Sequence, residues 1–196
     1  MTRNTVCAIV ACAAASAHAD IFTDRASFDA AVAAMSFAPA WDEDFEGFGL
    51  GLIPTPTIIG GGAAEIDRAG TAEIIDPSPI GTGQAYLGVE AGIGEIIQGV
   101  GGTSLGVTAL GFDYFSELDG MYNFNTSSGI ESAMMTPGTT PLFVGWVGDP
   151  GETLDFVDYT PGTSAHILDN MTAAIPAPGT AVLFAIGGLA AVRRRR

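Results

Sequence analysis

Between Trp41 and Thr172 apolar residues recur every second position, in short runs broken by Gly, Pro, Asn and Asp. That period is the signature of strands buried on one face. It predicts strands over Trp41 to Glu46, Ala72 to Asp76, Ala85 to Val89, Glu95 to Gln98, Leu105 to Phe115, Met121 to Asn125, Leu142 to Val147, Leu154 to Tyr159 and Ala165 to Thr172. Leu110, Phe112 and Tyr114 share a face in the longest of these; Phe143 with Gly145, and Leu154 with Phe156, repeat the period of two. One segment follows another rule. Phe28, Val32 and Met35, spaced by four and three, predict a helix from Asp24 to about Met35, with Thr23 as its cap. Many short strands, 27 glycines and no second helical block predict an all-β fold, an antiparallel β-sandwich of jelly-roll type behind one short helix. A parallel β-helix is the alternative, but it calls for a fixed repeat and the chain has none.

The two ends carry apolar runs of a different kind. Arg3, the stretch from Val6 to Ala15 and the small-residue site Ala17-His18-Ala19 form a secretory signal peptide over residues 1–19. Ile9-Val10-Ala11-Cys12 is a competing, weaker lipobox. At the other end Pro176-Ala177-Pro178-Gly179 breaks regular structure, a hydrophobic helix is expected over residues 180–192, and Arg193, Arg194, Arg195 and Arg196 follow. The breaker is expected to hold an extended segment clear of the folded body. As a helix, Ala181 to Val192 would rise roughly 18 Å against a hydrocarbon core of about 30 Å, which suits temporary lodging in a membrane. The arginines hold their end on the cytoplasmic side and place the body outside.

This three-part tail, residues 175–196, resembles the PEP-CTERM sorting signal, the bacterial arrangement processed by an exosortase. Ala177 stands where that pattern has an acidic residue, so the motif is a Pro-Ala-Pro variant. The resemblance implies passage through the Sec export machinery, a transient stay in the inner membrane, cleavage by an exosortase-like enzyme, and delivery to the cell surface or an extracellular polysaccharide matrix. A second resemblance concerns the body, residues 20–174. Phe22-Thr23-Asp24-Arg25 with Phe28, Asp44-Phe45-Glu46-Gly47, Leu110-Gly111-Phe112-Asp113 and Leu168-Asp169-Asn170-Met171 are similar to segments of secreted sandwich proteins that bear this tail.

Charge narrows the function classes. In the body 22 acidic residues face only Arg25 and Arg68, a formal charge of −20, and the chain has no lysine. Such a surface excludes binding to nucleic acid and to anionic lipid. Both cysteines, Cys7 and Cys12, lie in the signal peptide, so the mature chain has neither thiol nor disulfide. About 155 residues suffice for one domain with a normal core.

Little catalytic chemistry is visible. His166 is the one histidine of the body, no Gly-x-Ser-x-Gly elbow accompanies it, and Gly60-Gly61-Gly62 and Gly99 to Gly102 lack the ending of a phosphate loop. Carboxylates are abundant: alternation would put Asp42, Asp44 and Glu46 on one side of a strand. Calcium takes six to eight oxygen ligands, and Asp44, Glu46, Asp169 and Asn170 are candidate ligands if the first and last strands are neighbours. A pair of these carboxylates in a cleft would instead serve glycoside hydrolysis. Trp41, Phe48, Phe115, Tyr122, Phe124, Trp146 and Tyr159 are candidates for a sugar-stacking platform, with Asn123 and Asn125 as hydrogen-bonding partners; Trp146 fits a core position better. The expectation is an exported, noncatalytic structural or adhesive protein without a cofactor. A carbohydrate-binding module, with or without calcium, is the alternative, and a secreted glycoside hydrolase a more distant one.

Overall fold

Asp24 is extended, at φ −140°, and its carboxylate accepts the Ser27 N–H at 2.9 Å. Asp24, not Thr23, therefore caps α1 (Arg25–Ala34). The computed structural model describes residues 19–68, 70–76, 78, 83–88, 95–116, 119–135, 137, 142–161 and 166–177. In chain order the strands are β1 (Asp20–Phe22), β2 (Phe37–Glu43), β3 (Gly51–Ile53), β4 (Thr57–Ile59), β5 (Ala64–Arg68), β6 (Ala72–Ile75), β7 (Ala85–Gly88), β8 (Glu95–Gly99), β9 (Ala109–Ser116), β10 (Gly120–Thr126), β11 (Gly129–Met135), β12 (Leu142–Val147), β13 (Leu154–Pro161) and β14 (His166–Pro176).

All strand pairs are antiparallel, and they form two facing sheets. Strands β7 to β14 follow jelly-roll order, with β12-β9-β14-β7 in the first sheet and β11-β10-β13-β8 in the second. β6 and β3 extend the first sheet beyond β7, β1 adds to its β12 edge, and β5 and β4 extend the second beyond β8. β14 serves two partners on one side: His166 to Leu168 pair with β7, and Met171 to Pro176 pair with β2.

The space between the sheets is filled from both sides. Leu110, Phe112 and Tyr114 of β9 and Val144 and Trp146 of β12 meet Tyr122 and Phe124 of β10 and Val157 and Tyr159 of β13. Rings of Phe112 and Tyr122 lie 5.0 Å apart, and those of Tyr122 and Tyr159 5.1 Å, distances at which aromatic pairs attract. Outside the first sheet, α1 lays Phe28 against Phe143. Glycine is needed beneath it, because a β-carbon on Gly111 or Gly145 would come within 2.6 Å of the Phe143 or Phe28 ring.

Several expectations change. β2 ends at Glu43 and Phe45 turns at φ +59°, so Asp42, Asp44 and Glu46 do not share a strand face. Phe45 swings into the core instead, 5.9 Å from the Tyr86 ring. β9 begins at Ala109 rather than Leu105, although Val107 bridges Leu154. Leu154 and Phe156 do not share a face. The register with β10 slips there, pairing Asn125 with Phe156 but Thr126 with Leu154, and this bulge leaves Leu154 in the core and turns Phe156 outward. Pro176 does not stand clear of the body either: it is the last residue of β14, opposite Phe37. A terminal strand position suits a residue without an N–H. Among the described residues no helix is long and apolar enough to cross a membrane. The expected signal peptide up to residue 18 with Ala17, and Pro178, Gly179, the hydrophobic helix and Arg193 to Arg196, lie outside the described residues.

Candidate functional site

The condition set on the calcium candidates, that the first and last long strands be neighbours, is met, since Glu43 of β2 faces Met171 of β14. Beside that contact β14 carries a bulge: its register with β9 runs from Asp169 opposite Asp113 directly to Thr172 opposite Gly111. Asn170 sits in the bulge at φ +48°, a conformation asparagine tolerates better than most side chains. The bulge turns the Asn170 carbonyl toward Arg25 at the start of α1, whose Nη2 donates to it at 2.7 Å. Arg25 also pairs with Asp113 at 3.0 Å and lies 4.7 Å over the Phe143 ring, while Asn170 Nδ2 donates to Asp113 Oδ2 at 3.0 Å.

A pocket of about 420 Å³ opens there, lined by Arg25, Asp42, Glu43, Asp44, Asp113, Asn170, Met171 and Thr172. Several carboxylates in and beside it already have duties inside the chain. Glu43 accepts the N–H groups of Phe45 and Gly60, Asp44 accepts that of Glu46 at 3.1 Å, and Glu46 accepts that of Gln84 at 2.8 Å. Asp169 is 3 % exposed and accepts the Asn170 N–H at 2.7 Å. Burial, with the charges of Asp113, Asp44 and Glu46 added, pushes its carboxyl up to about 6. The fold thus gathers Asp44, Glu46, Asp169 and Asn170 into one neighbourhood. Among the described residues no group of three or more His, Cys, Asp or Glu side chains is arranged to hold a metal ion. Arg25 and Asp113, which complete the neighbourhood, sit 88 positions apart, and no local pattern in the sequence links them.

The expected aromatic platform is rearranged. Trp41, Tyr122, Phe124, Trp146 and Tyr159 are core residues, Phe48 packs half-buried against that core, and Phe115 lies half-buried beside Ala85 and Ile167 on the first sheet. The outer face of the second sheet carries Phe156 instead. Its register neighbours are Asn125 on β10 and Gln98 on β8, so a half-exposed ring lies between two primary amides.

One row along, Asn123 Nδ2 donates to Asp158 Oδ1 at 2.8 Å, Asn125 Nδ2 donates to Asp158 Oδ2 at 2.8 Å, and Ser132 Oγ donates to Asn123 Oδ1 at 2.7 Å. Three strands therefore hold a hydroxyl, two amides and a carboxylate in fixed orientation on a solvent-facing surface. Exposed Ile130, Met134 and Met121 border it. Asn123 and Asn125 were legible as candidates; Phe156, Gln98, Asp158 and Ser132 were not, because the β13 bulge and cross-strand register decide their placement.

No family model and no curated protein matches this chain. Among solved structures it is similar to a mutant of CBM29-2, described in connection with ligand recognition by family 29 carbohydrate-binding modules. That likeness has 13 % identity and a TM-score of 0.40, and covers 70 % of this chain and 90 % of that one.

Proposed function

We propose that this chain is an exported, noncatalytic protein of the cell envelope or extracellular matrix whose β-sandwich binds carbohydrate through the outer face of the second sheet. The observation that carries the reading is the preorganised surface around Phe156. Sugar rings present C–H faces and hydroxyl edges, and they are held by a ring beside fixed polar groups. Asn125, Asn123, Asp158 and Ser132 provide the polar groups, locked by their mutual hydrogen bonds. A glycan array probed with the intact chain tests this. Binding is expected to fall at least about tenfold when Asn123 and Asn125 are both changed to alanine, as for polar groups at the centre of a contact. Unchanged binding in that variant would contradict the assignment.

Export rests on the two terminal signals. The first strand starts at Asp20, next to the expected cleavage site at Ala19, and the last ends at Pro176, inside the Pro-Ala-Pro motif. An exosortase-like enzyme would find that motif at the rim of the sandwich, where Pro176 is exposed. Mature extracellular material is therefore expected to lack Arg193 to Arg196, and its intact mass reports this directly. Recovery of the secreted chain with all four arginines would overturn the sorting reading while leaving carbohydrate binding untouched.

A further inference from the structure

Resting on the carbohydrate-binding reading, we infer that the ligand is a glycan without acidic groups, lying across the strands of the second sheet with one ring on Phe156 between Asn125 and Gln98. Hydrogen bonds within the sheet decide which polar groups are left for a ligand. Asn125 Nδ2 gives both hydrogens away, to Asp158 Oδ2 and to the Asn123 carbonyl at 3.1 Å, so what remains is its carbonyl oxygen, an acceptor. Gln98 Nε2 donates to Glu65 at 3.0 Å, which turns its carbonyl the other way. Asp158 is itself an acceptor. The centre of the face is therefore rich in acceptors, and a partner must bring donors, which sugar hydroxyls are.

Charge points the same way. Of the body's two arginines, Arg25 is tied to Asp113 and Asn170 over the first sheet, and Arg68 is buried between the sheets. Among the described residues the outer face of the second sheet has no cation to receive a uronate or a sulfate, and the body carries −20. Direction follows from register. The row Ile130, Asn125, Phe156, Gln98 crosses four strands in steps of about 4.8 Å and stops at Glu65 on β5, which is buried beneath the N–H groups of Gly101 and Gly102. That pitch is close to the advance of one ring in an extended glycan, so successive rings meet successive strands.

The test is calorimetric titration of the intact chain with four hexamers: β-1,4-glucose, β-1,4-mannose, β-1,4-glucosamine and α-1,4-galacturonate. Binding of at least one of the first three, and none of the galacturonate, is expected. Phe156→Ala and Gln98→Leu should each weaken that binding about tenfold or more, with an unchanged melting midpoint showing that the fold is kept. Galacturonate binding as tight as any other hexamer, or full binding by Phe156→Ala, would overturn the inference. Binding lost instead on changing Asp42 and Asp44 to asparagine would move the site to the other sheet and leave the chain a carbohydrate binder. Failure of all four hexamers, and of a broad glycan array, would sink the carbohydrate reading itself.

Discussion

Arg68→Met is expected to destabilise the domain by about 3–5 kcal/mol, the usual cost of leaving one partner of a buried ion pair alone. Arg68 and Glu95 face each other in register on β5 and β8, and their side chains are each 1 % exposed. The pair lies between the sheets, with the Tyr86 hydroxyl 3.5 Å from Glu95. Burial, above all else, drives the Tyr86 and Tyr122 hydroxyls well above their ordinary range, so both stay neutral and Tyr86 can offer the orphaned Glu95 carboxylate no more than a neutral hydrogen bond. Space is equally restricted: a β-carbon on Gly88 would overlap both the guanidinium and the Glu95 carboxylate. For a domain of this size the loss corresponds to a fall in melting midpoint of roughly 6–20 °C. Arg68→Met with Glu95→Leu should recover much of it, because no orphaned charge remains. Thermal melts of the three proteins check this; a single variant as stable as the parent would show that the pair contributes nothing.

The second large effect has the opposite sign from most aspartates. Asp169 has its carboxyl raised from 3.8 to about 6, so the folded chain holds that proton more tightly than the unfolded chain does. Protonation therefore stabilises the fold. The contribution is complete below pH 4, is lost as pH rises through about 6, and amounts to about 3 kcal/mol between those limits. Asp169→Asn, which removes the charge and keeps the shape, should stabilise the chain at pH 7.5 and gain less stability than the parent on acidification from pH 7.5 to 5. The variant also separates this residue from the general relief of repulsion in so acidic a body. Denaturant unfolding at the two pH values measures both quantities. An equal acid response in parent and variant would mean that neither burial nor the charges of Asp113, Asp44 and Glu46 raise the Asp169 carboxyl in the folded chain.

What could be read in advance follows the strength of local pattern. Leu110, Phe112 and Tyr114 alternate over a strand long enough to make the period unmistakable, and they do face the core. Phe28 falls at a helical spacing and is the buried residue of α1. β11 escaped because its pattern is inverted: Ile130 and Met134 are 67 % and 72 % exposed, while Glu131 is half-buried, its carboxyl pushed up chiefly by burial. Strands β3 and β4 have three residues each and sit among glycines and prolines that read as loop. At the candidate sites Asp44 and Glu46 could be set beside Asp169 and Asn170 because carboxylates crowd the stretch that the sequence offered as a first strand, and β2 does pair with β14. The ring on the outer face of the second sheet could not be placed this way. Phe156 reaches the outer surface only through the bulge that sets it two residues from Leu154 yet on the opposite face, and a bulge is a property of pairing, absent from any one strand's pattern.

Heteronuclear NMR titration of the intact, isotope-labelled chain with the tightest-binding hexamer locates the glycan on the fold. The side-chain amide signals of Asn125 and Gln98 and the ring signals of Phe156 are expected to shift together and saturate at one equivalent. Shifts confined to Asn170 and the residues around Arg25, with the outer face of the second sheet unmoved, would contradict that placement.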